Sequence, residues 1–182
     1  MAALYFPVFV YLAEFYSSNF GISIALIGFT FLIVRLFDEA LKEARLAYAD
    51  DEVPVGAVVV SDEQIIARAH NQKERDKDCL SHAELLAIAE AQRVCGDWRL
   101  TECDLYVTLE PCVMCMGAIF HARFRSVYYG ARDLKWGGES LFKMVSEPQL
   151  NHRLDCHYID SDEAAALLTS FFKQKRLRSK HG

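Results

Sequence analysis

An α/β fold is predicted for this chain: a three-layer α/β/α sandwich around a mixed central sheet. Two observations predict it. Apolar runs of strand length alternate with segments whose apolar residues recur at helical spacing, and the first two strand runs are joined by a short acidic turn. From Arg35 onward, Leu36, Ala40, Ala44 and Ala47 keep a helical period, with Asp38, Glu39, Lys42 and Glu43 between them. Asp50-Asp51-Glu52 ends that helix. Residues 53–60 form a buried strand, Asp62-Glu63 a turn, and residues 64–70 the second arm of a hairpin. The polar stretch 71–81 is expected to be a loop. Leu85, Leu86, Ile88 and Ala89 supply the apolar face of a helix over 81–94. A strand over 104–109, a helix over 112–122 and strands over 126–130 and 154–159 follow. Ser161 is placed to cap a terminal helix with Asp162 and Glu163 in its first turn. There is no internal repeat and no low-complexity segment.

The length of 182 residues suits one domain with a substantial core, and 52% apolar with 25% charged residues suits a folded globular chain. A formal charge of −5 excludes a surface that is basic all over, so any nucleic-acid site must be a local patch. Six cysteines do not make a disulfide framework in a chain with this much core, and two of them sit at metal-ligand spacing; a reducing, cytoplasmic setting is expected. The front of the chain, 1–34, differs from the domain over 35–182. Residues 15–34 are 20 in number and carry no charge, enough to cross a bilayer core as one helix. Three readings of the front stay open: a membrane anchor, a segment that packs on a partner, or an upstream stretch absent from the working protein. No basic region precedes the run, which disfavours a secretory signal.

The chemistry lies in two short segments, His82-Ala83-Glu84 and Pro111-Cys112-Val113-Met114-Cys115, each where a helix should begin. Cysteines three apart at a helix start lie on the same side of its first turn, so both thiolates can reach one ion. His82 completes a set of three protein ligands, which leaves a tetrahedral zinc one position open for water and marks a catalytic rather than a structural site. One Zn2+ per subunit is expected. Glu84, two residues past the histidine, can approach that water without being a ligand and carry its proton. Together the segments match the H-x-E … P-C-x-x-C pattern of zinc deaminases. A structural half-site would need a fourth ligand that the sequence does not offer, and a redox pair would leave His82 and Glu84 without a task.

Residues 36–178 resemble the bacterial tRNA adenosine deaminases, which convert the wobble adenosine of an anticodon to inosine. The resemblance rests on Glu52-Val-Pro-Val-Gly-Ala57, Ser81-His-Ala-Glu84, Trp98-Arg-Leu100, Leu105 to Cys115 with Gly117-Ala118, Gly130-Ala-Arg-Asp133 and Asn151-His-Arg153. It implies a cytidine deaminase-like sandwich and a homodimer acting on a tRNA anticodon stem-loop. By position it implies that Asn71 hydrogen-bonds the flipped base and that the backbone N–H of Ala83 holds the reacting centre. It also implies that Asp133 and Lys135 line the groove beside the target. Phe171 and Phe172, with Lys173, Lys175, Arg176, Arg178 and Lys180 behind them, would meet the tRNA backbone. The chain departs from the family at Cys79-Leu80-Ser81, at Met116, and in a loop over 135–140 that is one residue short and carries Trp136. Two other functions stay open at this point: deamination of a free base or nucleotide such as guanine or cytosine, and a non-catalytic zinc-binding role.

Overall fold

The computed structural model describes residues 15, 17–21 and 23–179. The chain divides into two compact units, Met1–Leu36 and Phe37–Gly182. In the first, Phe20, Ile24, Leu26 and Phe29 are exposed. Gly21 takes the left-handed conformation at φ 67°, which stops the helical backbone there before α1 (Ile24–Ala49) begins. From Ile24 to Arg35 the uncharged part of α1 spans about 17 Å at helical rise, well short of a hydrocarbon core. Among the described residues no helix is long and apolar enough to cross a membrane, so the anchor over 15–34 is not supported.

In the second unit a five-stranded sheet runs in the order β2-β1-β3-β4-β5. The strands are β1 (Gly56–Ser61), β2 (Gln64–His70), β3 (Cys103–Leu109), β4 (Ser126–Ala131) and β5 (Asp155–Tyr158). The sheet is mixed, as expected: β1 pairs antiparallel with β2 and β3, whereas β4 pairs parallel with β3 and β5. At the hairpin tip Asp62 and Glu63 both take positive φ, 48° and 61°, the twist that a two-residue connection between antiparallel strands requires. β1, β3 and β4 are buried along nearly their whole length and form the middle of the sheet; β5 has no buried residue.

Helices cover both faces. On one face α3 (Ala83–Cys95) and α4 (Val113–Ala122) pack Ala87, Ile88, Ile119 and Phe120 against Val59, Leu105 and Val127. On the other lie α1 from Phe37 on and α5 (Asp162–Arg178). α1 sits so close to β1 that a Cβ on Gly56 would overlap its backbone at Ala40 and Ala44. Gly56→Ala is therefore expected to destabilise the protein by about 3 kcal/mol, lowering the thermal midpoint by roughly 6–12 °C. A melt unchanged by the substitution would show that α1 can retreat from the sheet.

Two elements differ from expectation. The strand expected over 53–60 begins only at Gly56, because Pro54 cannot donate to a ladder and the Val55 N–H closes a tight turn onto the Val53 carbonyl at 2.7 Å. Within the expected loop 71–81 lies a single helical turn, α2 (Lys73–Asp76). None of its residues is buried, so no apolar periodicity announced it.

Candidate metal and base-binding site

One end of the sheet gathers the site. The carboxyl ends of β2, β3 and β4 meet the amino end of β1 there, as the registers Gly56↔His70, Ala57↔Val107 and Leu109↔Ala131 require. Residues just beyond those ends, Val55, Asn71, Glu110 to Cys112 and Asp133, therefore come together, the usual place for a ligand in an open α/β sheet.

His82 is the N-cap of α3 and Cys112 the N-cap of α4, and neither helix has a side chain capping its first turn. The positive ends of both helices therefore face the site, and so does the first turn that Ala83 opens. The Sγ atoms of Cys112 and Cys115 lie 3.8 and 3.5 Å from His82 Nδ1, and the three ligand atoms all fall within 4.8 Å of one another. Two thiols and an imidazole are a donor set that suits zinc, and three such donors leave a tetrahedral position free. The Cys115 thiol donating to Cys112 is the main cause that brings Cys112 down to about 4, and the same contact pushes Cys115 up. The interaction with Cys112 raises His82 above its ordinary value.

Glu84 is buried beside these groups, and burial pushes its carboxyl up to about 7. A cavity of about 180 Å3 connects the set: Asn71, His82, Glu84, Cys112 and Asp133 line it together with Lys73. Of the residues singled out from the sequence, the fully buried Ala83 and Cys115 do not line this cavity. Lys135, Phe172 and Arg176 line a neighbouring one of about 590 Å3 with Arg132 and Trp136, and Val53, Leu109 and Asp133 belong to both. Trp136 is 62% exposed, so it covers no core. The basic terminal helix is less free than its composition suggests. Asp51 accepts from Lys175 at 2.7 Å and from Arg178 at 3.0 Å, and Phe171 turns inward against Tyr48. Lys180 lies outside the described residues.

Two buried carboxylates were missed as site residues. Glu110 accepts from the backbone N–H groups of Asp133, Glu139 and Ser140 and from the Ser140 hydroxyl, the last two at 2.6 Å. It thereby fixes the wall that carries Asp133, Lys135 and Trp136. That wall is also tied to the cysteine segment, since Val113 N–H donates to the Trp136 carbonyl and Gly138 N–H to that of Pro111. Glu52 accepts from the Asn71 amide at 3.3 Å and from the Arg75 backbone N–H at 2.8 Å. Each is only 1% exposed. Their signal in the sequence was an acid next to a proline-containing segment, which acids at helix ends and turns share.

The sequence pattern of the MafB19-like deaminases matches residues 34–176. The tRNA-specific adenosine deaminase of Aquifex aeolicus is 48% identical over 138 residues, covering 75% of this chain and 91% of the relative. That of Bacillus subtilis is 42% identical over 144 residues, 78% of this chain and 89% of its own. Among solved structures, one from a study of A-to-I editing by tRNA:A34 deaminases superposes with a TM-score of 0.71 at 44% identity, over 74% of this chain and 99% of that one. The guanine deaminase of Nitrosomonas europaea superposes at 0.64 with 25% identity, over 75% of this chain and 82% of that one. The matching family pattern, the similar fold and this level of identity lead to one conclusion: the chain belongs to the MafB19-like deaminase family and, within it, to the tRNA-specific adenosine deaminases.

Proposed function

We propose that this protein hydrolyses the wobble adenosine of a tRNA anticodon to inosine and ammonia, using one zinc ion held by His82, Cys112 and Cys115. The observation that carries the reading is the buried Glu84 carboxyl lining the same small cavity as Asn71 and two of the clustered ligands, His82 and Cys112. Zinc in such a site supplies Lewis acidity, which lowers the pKa of a bound water to about 7. Glu84, with its carboxyl near 7, takes one proton from the attacking water and gives it to the ring nitrogen, then takes the second from the hydroxyl now on the ring carbon and gives it to the amine, which leaves as ammonia. The Asn71 amide holds the base edge, the Ala83 N–H steadies the reacting centre, and Asp133 closes the far wall. The cavity admits a base only once it has left its stack, which an anticodon loop allows at lower cost than a duplex.

Lys135, Phe172 and Arg176 line the adjoining cavity, where nucleotides flanking the target would lie, with an aromatic face for a base and cations for phosphates. A local group of basic residues at this cavity, Arg132, Lys135 and Arg176, is enough to reconcile an RNA substrate with a net charge of −5. Arg176→Ala should raise KM for an anticodon stem-loop about 5-fold with little change in kcat, and make the salt dependence shallower by about one unit of log–log slope. Initial rates from 50 to 300 mM salt check it. The assembly proposed is a homodimer, and six free cysteines agree with a reducing cytoplasm.

The test uses the full chain and a stem-loop bearing a wobble adenosine, with inosine read as guanosine by sequencing. Editing is the expected result. An untouched stem-loop beside free guanine or cytosine that loses ammonia would instead establish a small-base deaminase; no reaction with any of them would leave a zinc-binding protein.

A further inference from the structure

Asn71 is 5% exposed and lines the base cavity, yet one end of its amide is already engaged. Its Nδ2 donates to Glu52 Oε2 at 3.3 Å, while Glu52 Oε1 accepts from the backbone N–H of Arg75 at 2.8 Å. No buried side-chain oxygen or nitrogen among the described residues lacks a partner, and Asn71 Oδ1 makes no hydrogen bond within the protein, so that oxygen opens to the cavity. A carboxylate accepting at both oxygens can only accept. With Glu52 opposite, the amide cannot turn over without setting oxygen against oxygen.

We infer that Glu52 fixes the orientation of the Asn71 amide and thereby makes the cavity select an adenine edge over a guanine-type one. Held this way, Asn71 presents one acceptor and one remaining N–H side by side. The edge of adenine beside its amino group offers the complement, an amino donor next to the N7 acceptor; guanine offers two acceptors, O6 and N7, and so does hypoxanthine, the base of the inosine product. The same clamp that accepts the substrate edge therefore opposes the product edge and favours release. This inference rests on the adenosine reading above and names the residue that sets its base preference. Glu52 acts through Asn71 and is a positioning residue.

Glu52→Gln tests it, because glutamine keeps an oxygen for the Arg75 N–H but turns an N–H toward Asn71. The Asn71 amide should then reverse and offer two donors to the cavity. Expected are a fall of about 30-fold in kcat/KM on the adenosine stem-loop and inhibition by the inosine-bearing stem-loop about 5-fold stronger than in the wild type, with zinc content and thermal midpoint unchanged. Glu52→Asp retains an acceptor-only partner and should keep the wild-type ranking of adenosine over inosine. Equal loss in both variants with no change in inosine inhibition, or loss that follows zinc or melting temperature, would mean a purely structural role and overturns the inference. So does a Glu52→Gln enzyme with wild-type kcat/KM. A wild-type protein that edits no stem-loop overturns the function reading and this inference with it, an outcome distinct from failure of the variants alone.

Discussion

Glu84→Gln is expected to reduce kcat for stem-loop editing by about 10^3- to 10^4-fold while the protein keeps one zinc per subunit. Glutamine fills the same volume in a position that is 4% exposed, so the packing around α3 stays and the change is confined to proton transfer. Hydrolytic deamination needs a group that accepts a proton from water and gives it to a poor leaving amine within one turnover. An amide can do neither. Single-turnover editing together with metal analysis separates the outcomes. Zinc lost along with activity would mean that the carboxylate belongs to the ligand set and that its role was misassigned.

His82→Ala should abolish editing and zinc retention together, and chelation of the wild type should reproduce both. His82 begins α3 and Cys112 begins α4, so an ion between them joins two helix starts that β3 separates in the chain. Binding that favours only the folded state stabilises it by about 4 kcal/mol when the free ion stands about 1,000-fold above its Kd. Its removal should then lower the melting midpoint by roughly 8–16 °C. The five-stranded sheet has its own core, so the metal-free protein should still melt cooperatively. Calorimetry with and without chelator checks this, and added chelator should leave the melt of the His82→Ala variant where it was.

Much of this was legible in the chain because period and spacing carry it. The runs at 56–60 and 105–109 are apolar because those strands are buried on both faces, and the ligands stand out because a metal demands soft donors at helical spacing. Glu52 and Glu110 were not legible as site residues. A buried carboxylate differs from a surface one only in which N–H groups fold onto it, and those come from 19 to 30 residues away. The pairing inside the terminal basic cluster was hidden for a similar reason. Its charges are visible in sequence, but the partner that occupies Lys175 and Arg178, Asp51, is 124 residues or more distant. The front of the chain misled through composition alone: twenty uncharged residues satisfy a length rule, and one left-handed glycine interrupts the helix that the rule assumes.

The Glu110 carboxylate has an implication for how such a protein can diversify. Its partners arrive at fixed offsets along one loop, from Asp133, Glu139 and Ser140, and Gly137 passes so close that a Cβ would meet the carboxylate. An insertion or deletion between those donors moves some of them out of reach and leaves a buried charge short of partners. Exposed side chains between them, such as Leu134, Lys135 and Trp136, can change without touching that arrangement. Variation in which neighbours of the target base are tolerated should accordingly accumulate as point substitutions in this wall, and a loop of altered length, such as the one over 135–140 here, must still bring its donors back onto the Glu110 carboxylate.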